Sequence, residues 1–511
     1  MPEPRRPNRA SAVVLLVRGQ GDALETFWVR RSDAVSYMPG FRAFVGGTVD
    51  PQDTELPIEE APEGPQRELM ACAIREAFEE AGVLVGVEEP GPAERVAEAR
   101  QRLLGGDDTF LALAQEHGWR FRADALAFAG RWISPPFARS GFETDYFLAR
   151  VPDGQEATVH VGELAEGEWI RPRVALERWR AGHETFAAPI LWTLITMAEG
   201  GGPDLAARLA EAPGRSGRPV RRIELKWGIV LHPMKTRPLP PATHTNAYLV
   251  GESEMALIDP GSGEPEELEA LFALIEALRE DGRRPRIVLL THHHPDHLAG
   301  LEAVRERYRL PVAAHAETAR HVRVDLVLKD GDWIPLVPGI GDWNLRALHT
   351  PGHTRGHLCF VHPRTRSLFS GDHIPGGQGT VIIDPPDGDM AAYVASLERL
   401  LTEPVDTIFP GHGPPQGAAG RRIRGLIAHR REREAKVIGA LATTPSSLRE
   451  LVERAYADTP PALWEYAERS LLAHLLDLEA RGKAVREGET WRAPNESDAA
   501  ARQGEIWPAP Q

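Results

Sequence analysis

Apolar positions along the chain change period repeatedly, and the changes divide it. Near the N-terminus the short continuous run at 12–17 predicts a first strand. A second strand is predicted at 144–149. From residue 223 strand and helix patterns alternate: strands at 247–250, 256–258 and 287–290, helices at 265–279 and 299–308. That alternation predicts α/β layering. Beyond 426 the period is helical. Leu448, Leu451, Val452, Ala455 and Tyr456 follow a Ser446-Ser447 cap, and Leu471, Leu472, Leu475 and Leu478 share one face of a helix at 461–480. Gly482-Lys483-Ala484-Val485 and Thr490-Trp491 then predict a small wing, with Trp464, Tyr466 and Trp491 in its core.

Composition changes this picture at a few points. A chain of 511 residues suggests about three domains. Gly200-Gly201-Gly202-Pro203 and the Gly/Pro/Arg stretch at 213–219 predict a linker over 201–222, with a short helix at Leu205–Glu211 inside it. The expected divisions are therefore 10–200, the linker, 223–425, 426–492 and a flexible tail at 493–511. A net charge of −15 excludes binding of polyanions by bulk charge, though not by a local basic face. Two cysteines far apart, Cys72 and Cys359, argue against a disulfide framework and for a reducing, cytoplasmic setting. The run at 12–17 is too short for a signal-peptide core, and no apolar run of about 18 residues exists, so no membrane span is expected.

The strongest chemical signal is Thr291-His292-His293-His294-Pro295-Asp296-His297, directly after the predicted strand at 287–290. Alternate residues at a strand end point the same way, so His292 and His294 face one metal. Asp296 and His297, past the turn at Pro295, face a second. His293 is expected to point away and pack. Three more candidates follow strand ends or turns: His353 in His349-Thr350-Pro351-Gly352-His353, Asp372 in Ser370-Gly371-Asp372, and His412 in Pro410-Gly411-His412-Gly413. Imidazole and carboxylate suit zinc, which lowers the pKa of a water it holds toward ~7. An all-His/Asp set also admits manganese or iron. His349 reads equally as a group supporting the ligands or as a loop brace, and His357 and His373 read as structural.

This succession, with Asp259 in Leu257-Ile258-Asp259-Pro260-Gly261, resembles the metallo-β-lactamase superfamily over 223–425. The resemblance implies an αββα sandwich with the site at its strand-end edge. It also implies one zinc held by His292, His294 and His353, another by Asp296, His297 and His412, and Asp372 bridging them. Asp296 would assist the leaving group. Ser370-Gly371-Asp372, Gly379-Thr380-Val381, Tyr393, Ser396-Leu397, His429-Arg430 and the predicted winged helix resemble the β-lactamase-like protein 2 branch, which implies action on single-stranded RNA as one alternative. The segment from Arg421 to Lys436 carries Arg421, Arg422, Arg424, Arg430, Arg431, Arg433 and Lys436 against Glu432 and Glu434. It reads either as an exposed, ion-paired helix or as a face that tracks phosphates. Asp384-Pro385-Pro386 departs from the branch and alters the expected substrate mouth.

Arg75-Glu76-Ala77-Phe78-Glu79-Glu80-Ala81-Gly82-Val83 places Glu76, Glu79 and Glu80 on one helix face. Hard carboxylates gathered this way suit Mg²⁺ or Mn²⁺. Arg75 would orient them by ion pairing, and Gly82 would end the helix. The segment resembles the second half of the Nudix box. Phe44-Val45-Gly46-Gly47, Met38-Pro39-Gly40, Ile133-Ser134-Pro135-Pro136 and Glu163 before Trp169-Ile170 extend the resemblance to the coenzyme A diphosphatase-like Nudix branch. Three departures stand out: Val45 before the glycine pair, a long insertion before the helix, and Glu68 one residue too near Arg75.

The expectation is thus a multidomain α/β and α+β protein: a Nudix α/β/α sandwich, a metallo-β-lactamase αββα sandwich and a small winged helix. It is expected to be a bifunctional metallohydrolase: two zinc ions in the centre hydrolyse an ester, thioester or phosphodiester, and magnesium or manganese at the Nudix helix serves diphosphate hydrolysis. The expected partner is a small molecule, an acyl-coenzyme A or a nucleoside diphosphate derivative. The alternatives are an endoribonuclease acting on single-stranded RNA, and a Nudix module that senses a nucleotide and regulates its neighbour.

Overall fold

The computed structural model describes residues 8–134, 141–211, 222–240, 242–336, 343–377, 379–442 and 444–498. The Pro135-Pro136 pair, the stretch 213–219 and the tail from 499 lie outside the described residues. The chain forms two compact units, residues 1–253 with 269–284, and residues 254–268 with 285–511.

In the first unit the run at 12–17 becomes the centre of a longer strand, Arg9–Arg18. It pairs in parallel with strand Phe142–Arg150 and antiparallel with strands Glu25–Arg31 and Val45–Thr48. The pleat sends Ala12, Val14 and Leu16 to one face, where they meet Phe27, Phe147 and helix Pro65–Ala81. Leu15 and Val17 go to the other, against Trp28, Tyr146 and helices Pro172–Arg180 and Ala188–Ala198. Two cores on one mixed sheet make an α/β/α sandwich. Helix Leu205–Glu211 buries Leu205 and Leu209 in the second core, so apolar burial draws it out of the linker and into the unit. Strands Ile223–Lys226, Ile229–Lys235 and His244–Gly251 group with this unit as well. The Leu225 carbonyl accepts from the Phe186 amide at 2.9 Å and from Trp179 Nε1 at 3.2 Å.

In the second unit Val288 and Leu289 pair in parallel with Val312 and Ala313. The helix expected at 299–308 is two: Pro295–Leu298 and Leu301–Tyr308. Gly300 separates them, and a Cβ there would lie 2.5 Å from the Ser262 carbonyl. A five-stranded sheet runs in the order Trp333–Pro335, Asn344–His349, Leu358–His362, Ser367–Gly371, Thr407–Pro410. Helices Met390–Leu400 and Ala419–Ala440 cover one face, joining Leu348, Val361, Leu368 and Ile408 to Leu397, Ile423 and Leu426. The winged helix comprises helices Leu448–Ala455 and Trp464–Ala480 and a three-stranded sheet ending in Thr490–Arg492. Ser447 and Glu450 close a capping box, and Trp491 is 1% exposed in the small core. Among the described residues no helix is long and apolar enough to cross a membrane.

Candidate metal centres

Seven side chains converge at the strand ends of the second unit. His292 Nε2 and His353 Nε2 each lie 3.0 Å from His294 Nδ1, and Asp372 Oδ2 is 3.7 Å from His353 Nε2. Beside them His412 Nε2 lies 3.2 Å from Asp296 Oδ2 and 3.3 Å from His297 Nε2. Asp372 Oδ1 is 3.2 Å from His297 Nε2 and 3.3 Å from His412 Nε2. Asp372 thus gives one oxygen to each group. The neighbouring glycine is required: a Cβ on Gly411 would lie 2.7 Å from both Asp372 Oδ1 and His297 Cε1.

The groups behind the ligands fix which nitrogen faces inward. Thr291 Oγ1 donates to Asp259 Oδ2 at 2.6 Å, so it can only accept from His292 Nδ1 at 2.9 Å. The same carboxylate oxygen accepts from His297 Nδ1 at 2.8 Å, and the Ile382 carbonyl accepts from His353 Nδ1 at 3.0 Å. With their Nδ1 protons committed outward, neutral His292 and His353 turn lone pairs toward His294 Nδ1, which can donate to only one of them. Burial holds His292 well below its ordinary value and His353 at about 4, so both stay in the ligating form. Asp372 Oδ1 is buried and faces His297 Nε2 and His412 Nε2 by charge, with neither contact in hydrogen-bond geometry. Lone pairs aimed at one another beside a buried carboxylate oxygen fit two divalent cations. Burial lowers His412, but Asp372 and Asp296 outweigh it and push the ring up to about 10. A metal entering this site therefore displaces a proton.

The other histidines have structural partners. His293 stacks on His321 with centroids 3.9 Å apart, its Nε2 3.7 Å from Asp387. His349 braces its loop through the Arg355 carbonyl at 2.8 Å and stacks on His315. His357 meets Thr350 Oγ1 at 3.0 Å, and the His373 ring, its nitrogens buried without hydrogen-bond partners, packs on Tyr393 with centroids 4.7 Å apart.

The Nudix helix is built differently. Arg75 donates to Glu76 Oε1 at 2.7 Å, to Glu79 Oε2 at 3.4 Å and to the Thr48 carbonyl at 2.9 Å. Its Nε donates to Asp53 Oδ1 at 2.9 Å. Asp53, buried and also capping Asp50, went unrecognised in the sequence, where Glu68 stood as the misplaced acid. The available signal was the cap pattern Asp50-Pro51-Gln52-Asp53 just after the glycine pair. Glu80 accepts from the Gly46 amide at 2.8 Å, and Glu76 fills the space a Cβ on Gly47 would need, 2.1 Å away. Gly82 closes the helix with φ +72°. The three carboxylates do not gather within 4.8 Å as the histidine set does. Like charges repel, and Arg75 and the Gly46 amide draw the carboxylates toward different partners.

Burial raises Glu76 to about 7, with Arg75 opposing and Glu79 adding. Burial and the Glu76 charge raise Glu80 to about 8 against the Gly46 amide. In the unfolded chain both ionise near 4.5. As pH rises above that value the unfolded chain loses these protons first, so stability falls until the folded values are passed. In chelator, the thermal midpoint of the first unit is expected to drop between pH 5 and 8 and then level off. The drop should be shallower in Glu80→Gln. A midpoint that rises over this window would contradict the assignment.

The fold and its family matches define a hydrolase with a candidate metal centre. The chain belongs to the metallo-beta-lactamase superfamily, whose model matches residues 240–412. A beta-lactamase associated winged helix domain matches 447–491, and a NUDT19 Nudix domain matches 65–197. A beta-lactamase-like protein 2 homolog from Drosophila melanogaster is 29% identical over 47% of this chain and 83% of its own length. A hydroxyacylglutathione hydrolase from Rhodopseudomonas palustris is 36% identical over 35% of this chain and 67% of its own. An Atrochrysone carboxyl ACP thioesterase from Claviceps purpurea is 33% identical over 39% of this chain, which spans 60% of that relative.

Proposed function

We propose that the protein is a bifunctional hydrolase of acyl-coenzyme A compounds, with zinc in its central site and magnesium or manganese at the Nudix helix. Manganese or iron would also suit the central donors. The carrying observation is the pair of ligand sets that share Asp372. Two metals held there supply Lewis acidity at a carbonyl and a water made acidic enough to attack. The chain supplies the rest. Burial raises Asp296; without metal the hydrogen bond from His412 and the charge of His297 hold it below the usual carboxylate range, and a bound cation would take over that role. Ionised at neutral pH, Asp296 takes the proton of the attacking water and returns it to the departing sulfur. Water adds to the acyl carbon, the C–S bond breaks and a free thiol leaves.

The fusion supports the substrate class. An acyl-coenzyme A carries a thioester for one site and a diphosphate for the other, and two of the relatives carry the names thioesterase and hydroxyacylglutathione hydrolase. The long basic helix supports a small molecule over RNA, because Arg422, Arg430, Arg431, Arg433 and Lys436 are engaged within the protein, leaving the exposed Arg421 and Arg424 outside those contacts. Arg430 and Arg433 are buried; Arg431 pairs with Glu398, and Arg433 and Lys436 pair with Asp458. Arg422 bonds the Pro375 carbonyl at 3.1 Å.

The test separates the two sites. Glu79→Gln should abolish release of diphosphate-cleavage products and leave thiol release intact, and His294→Ala should do the reverse. Failure of the wild-type protein to cleave either bond in a panel of acyl-coenzyme A compounds would end this reading.

A further inference from the structure

Metal ligand His353 is oriented by one backbone carbonyl, that of Ile382. Residues 379–386 around it form neither helix nor strand. A segment without its own hydrogen-bond ladder takes its position from whatever pairs with its main chain. Arg355 and the Gly388 amide hold its far end at the Pro386 and Asp384 carbonyls, but beside Ile382 the partners come from the C-terminal part of the chain. On one side of Ile382, Arg430 of helix Ala419–Ala440 donates to the Val381 carbonyl. On the other, the Ile383 amide donates to Ser470 Oγ at 3.4 Å, from the winged-helix helix Trp464–Ala480. One residue further, Arg469 of that helix holds Asp384 at 3.0 Å.

Packing makes the arrangement stiff. Ile383 is fully buried in a core that includes Tyr393, Ile423 and Ala473. Arg430 is 3% exposed and lies over the Tyr393 ring, 5.1 Å from its centroid. Arg422 secures the start of the same segment through the Pro375 and Gly379 carbonyls.

Taking the central site as a metal centre, as proposed above, we infer that Arg430 and Ser470 are positioning residues for His353. Helix Ala419–Ala440 and the winged helix then act together as a buttress of the metal site: Ser470 grips the peptide group that carries the Ile382 carbonyl, and Arg430 grips the one before it. The carbonyl that orients a metal-bound imidazole commonly affects metal affinity by about 10–100-fold. Loosening its neighbours should produce a loss in that range.

The test uses the full chain and reads metal, not turnover. Wild type, Arg430→Met, Arg430→Lys, Ser470→Ala and Arg431→Ala are loaded with zinc, and metal transfer to a competing chelator is followed. The cobalt(II) absorption spectrum of each is recorded in parallel. Arg430→Met should lose zinc about 10–100-fold more readily than wild type and show an altered cobalt spectrum. Arg430→Lys should recover part of both, because its ammonium can still donate to Val381. Ser470→Ala should shift both in the same direction by less. Arg431→Ala, on the same helix but exposed and paired with Glu398, should match wild type. Should Arg430→Met fail to fold, Ser470→Ala combined with Arg469→Ala decides the question by the same two readings. Wild-type metal retention and spectrum in the folded Arg430 variant, or in that pair, would overturn the inference while leaving the metal site standing. A wild-type chain that binds no zinc would overturn the site itself.

Discussion

Asp372→Ala should lose both metals of the central site and lower kcat/KM for thioester cleavage by about 10³-fold, several kcal/mol of transition-state stabilisation. The size follows from geometry. Among the described residues, Asp372 alone gives one oxygen to each ligand group, toward His353 on one side and toward His297 and His412 on the other. Its removal takes the bridging charge from a buried set of imidazoles, whereas loss of His353 touches one group. Metal content by elemental analysis should fall with activity. A folded Asp372→Ala protein that retains two metals would show that the bridge is dispensable. Diphosphate cleavage in the first unit should be unchanged, which would confine the loss to the second unit.

Arg75→Ala should destabilise the first unit by about 3–5 kcal/mol and abolish diphosphate cleavage. Arg75 is mostly buried and its guanidinium reaches Asp53, Glu76 and Glu79 together. Truncating it leaves buried carboxylates with no cation, and Asp53 is almost fully enclosed. For a unit of this size the thermal midpoint should fall by roughly 10 °C. Arg75→Lys should rescue little, because a single ammonium cannot span three carboxylates as a planar fork does. A melting curve for Arg75→Ala that matches wild type would contradict this view of the helix.

The candidate central ligands are legible in the sequence because each carries a chemistry-bearing side chain at a strand end or turn, and strand ends show in the hydrophobic pattern. His292 and His294 follow the apolar residues Ile287 to Leu290, and Asp372 and His412 follow strands Ser367–Gly371 and Thr407–Pro410. The groups behind them are less legible. Asp259 stands out only by resemblance, and the Ile382 carbonyl has no side-chain signature, since a backbone acceptor looks the same at every residue. The basic helix illustrates the opposite limit. Its charges are plain in the sequence, but their partners are carbonyls and acids far along the chain, such as Val381 and Asp458. Likewise Asp53 lies 22 residues before Arg75, and only the folded insertion brings the two together. Periodicity misplaces the start of the helix at 299–308 because Gly300 is fixed by close approach to Ser262, a contact that local pattern does not encode.

The central claim is that seven residues of the second unit hold two metal ions across one carboxylate. Its most direct test is elemental analysis of the full chain carrying Glu76→Gln, Glu79→Gln and Glu80→Gln together, which silences the Nudix helix as a metal site. The account predicts two zinc, manganese or iron ions per chain, both lost when Asp372→Ala is added. One ion per chain or none in the triple variant, or two ions that survive the loss of Asp372, would contradict it.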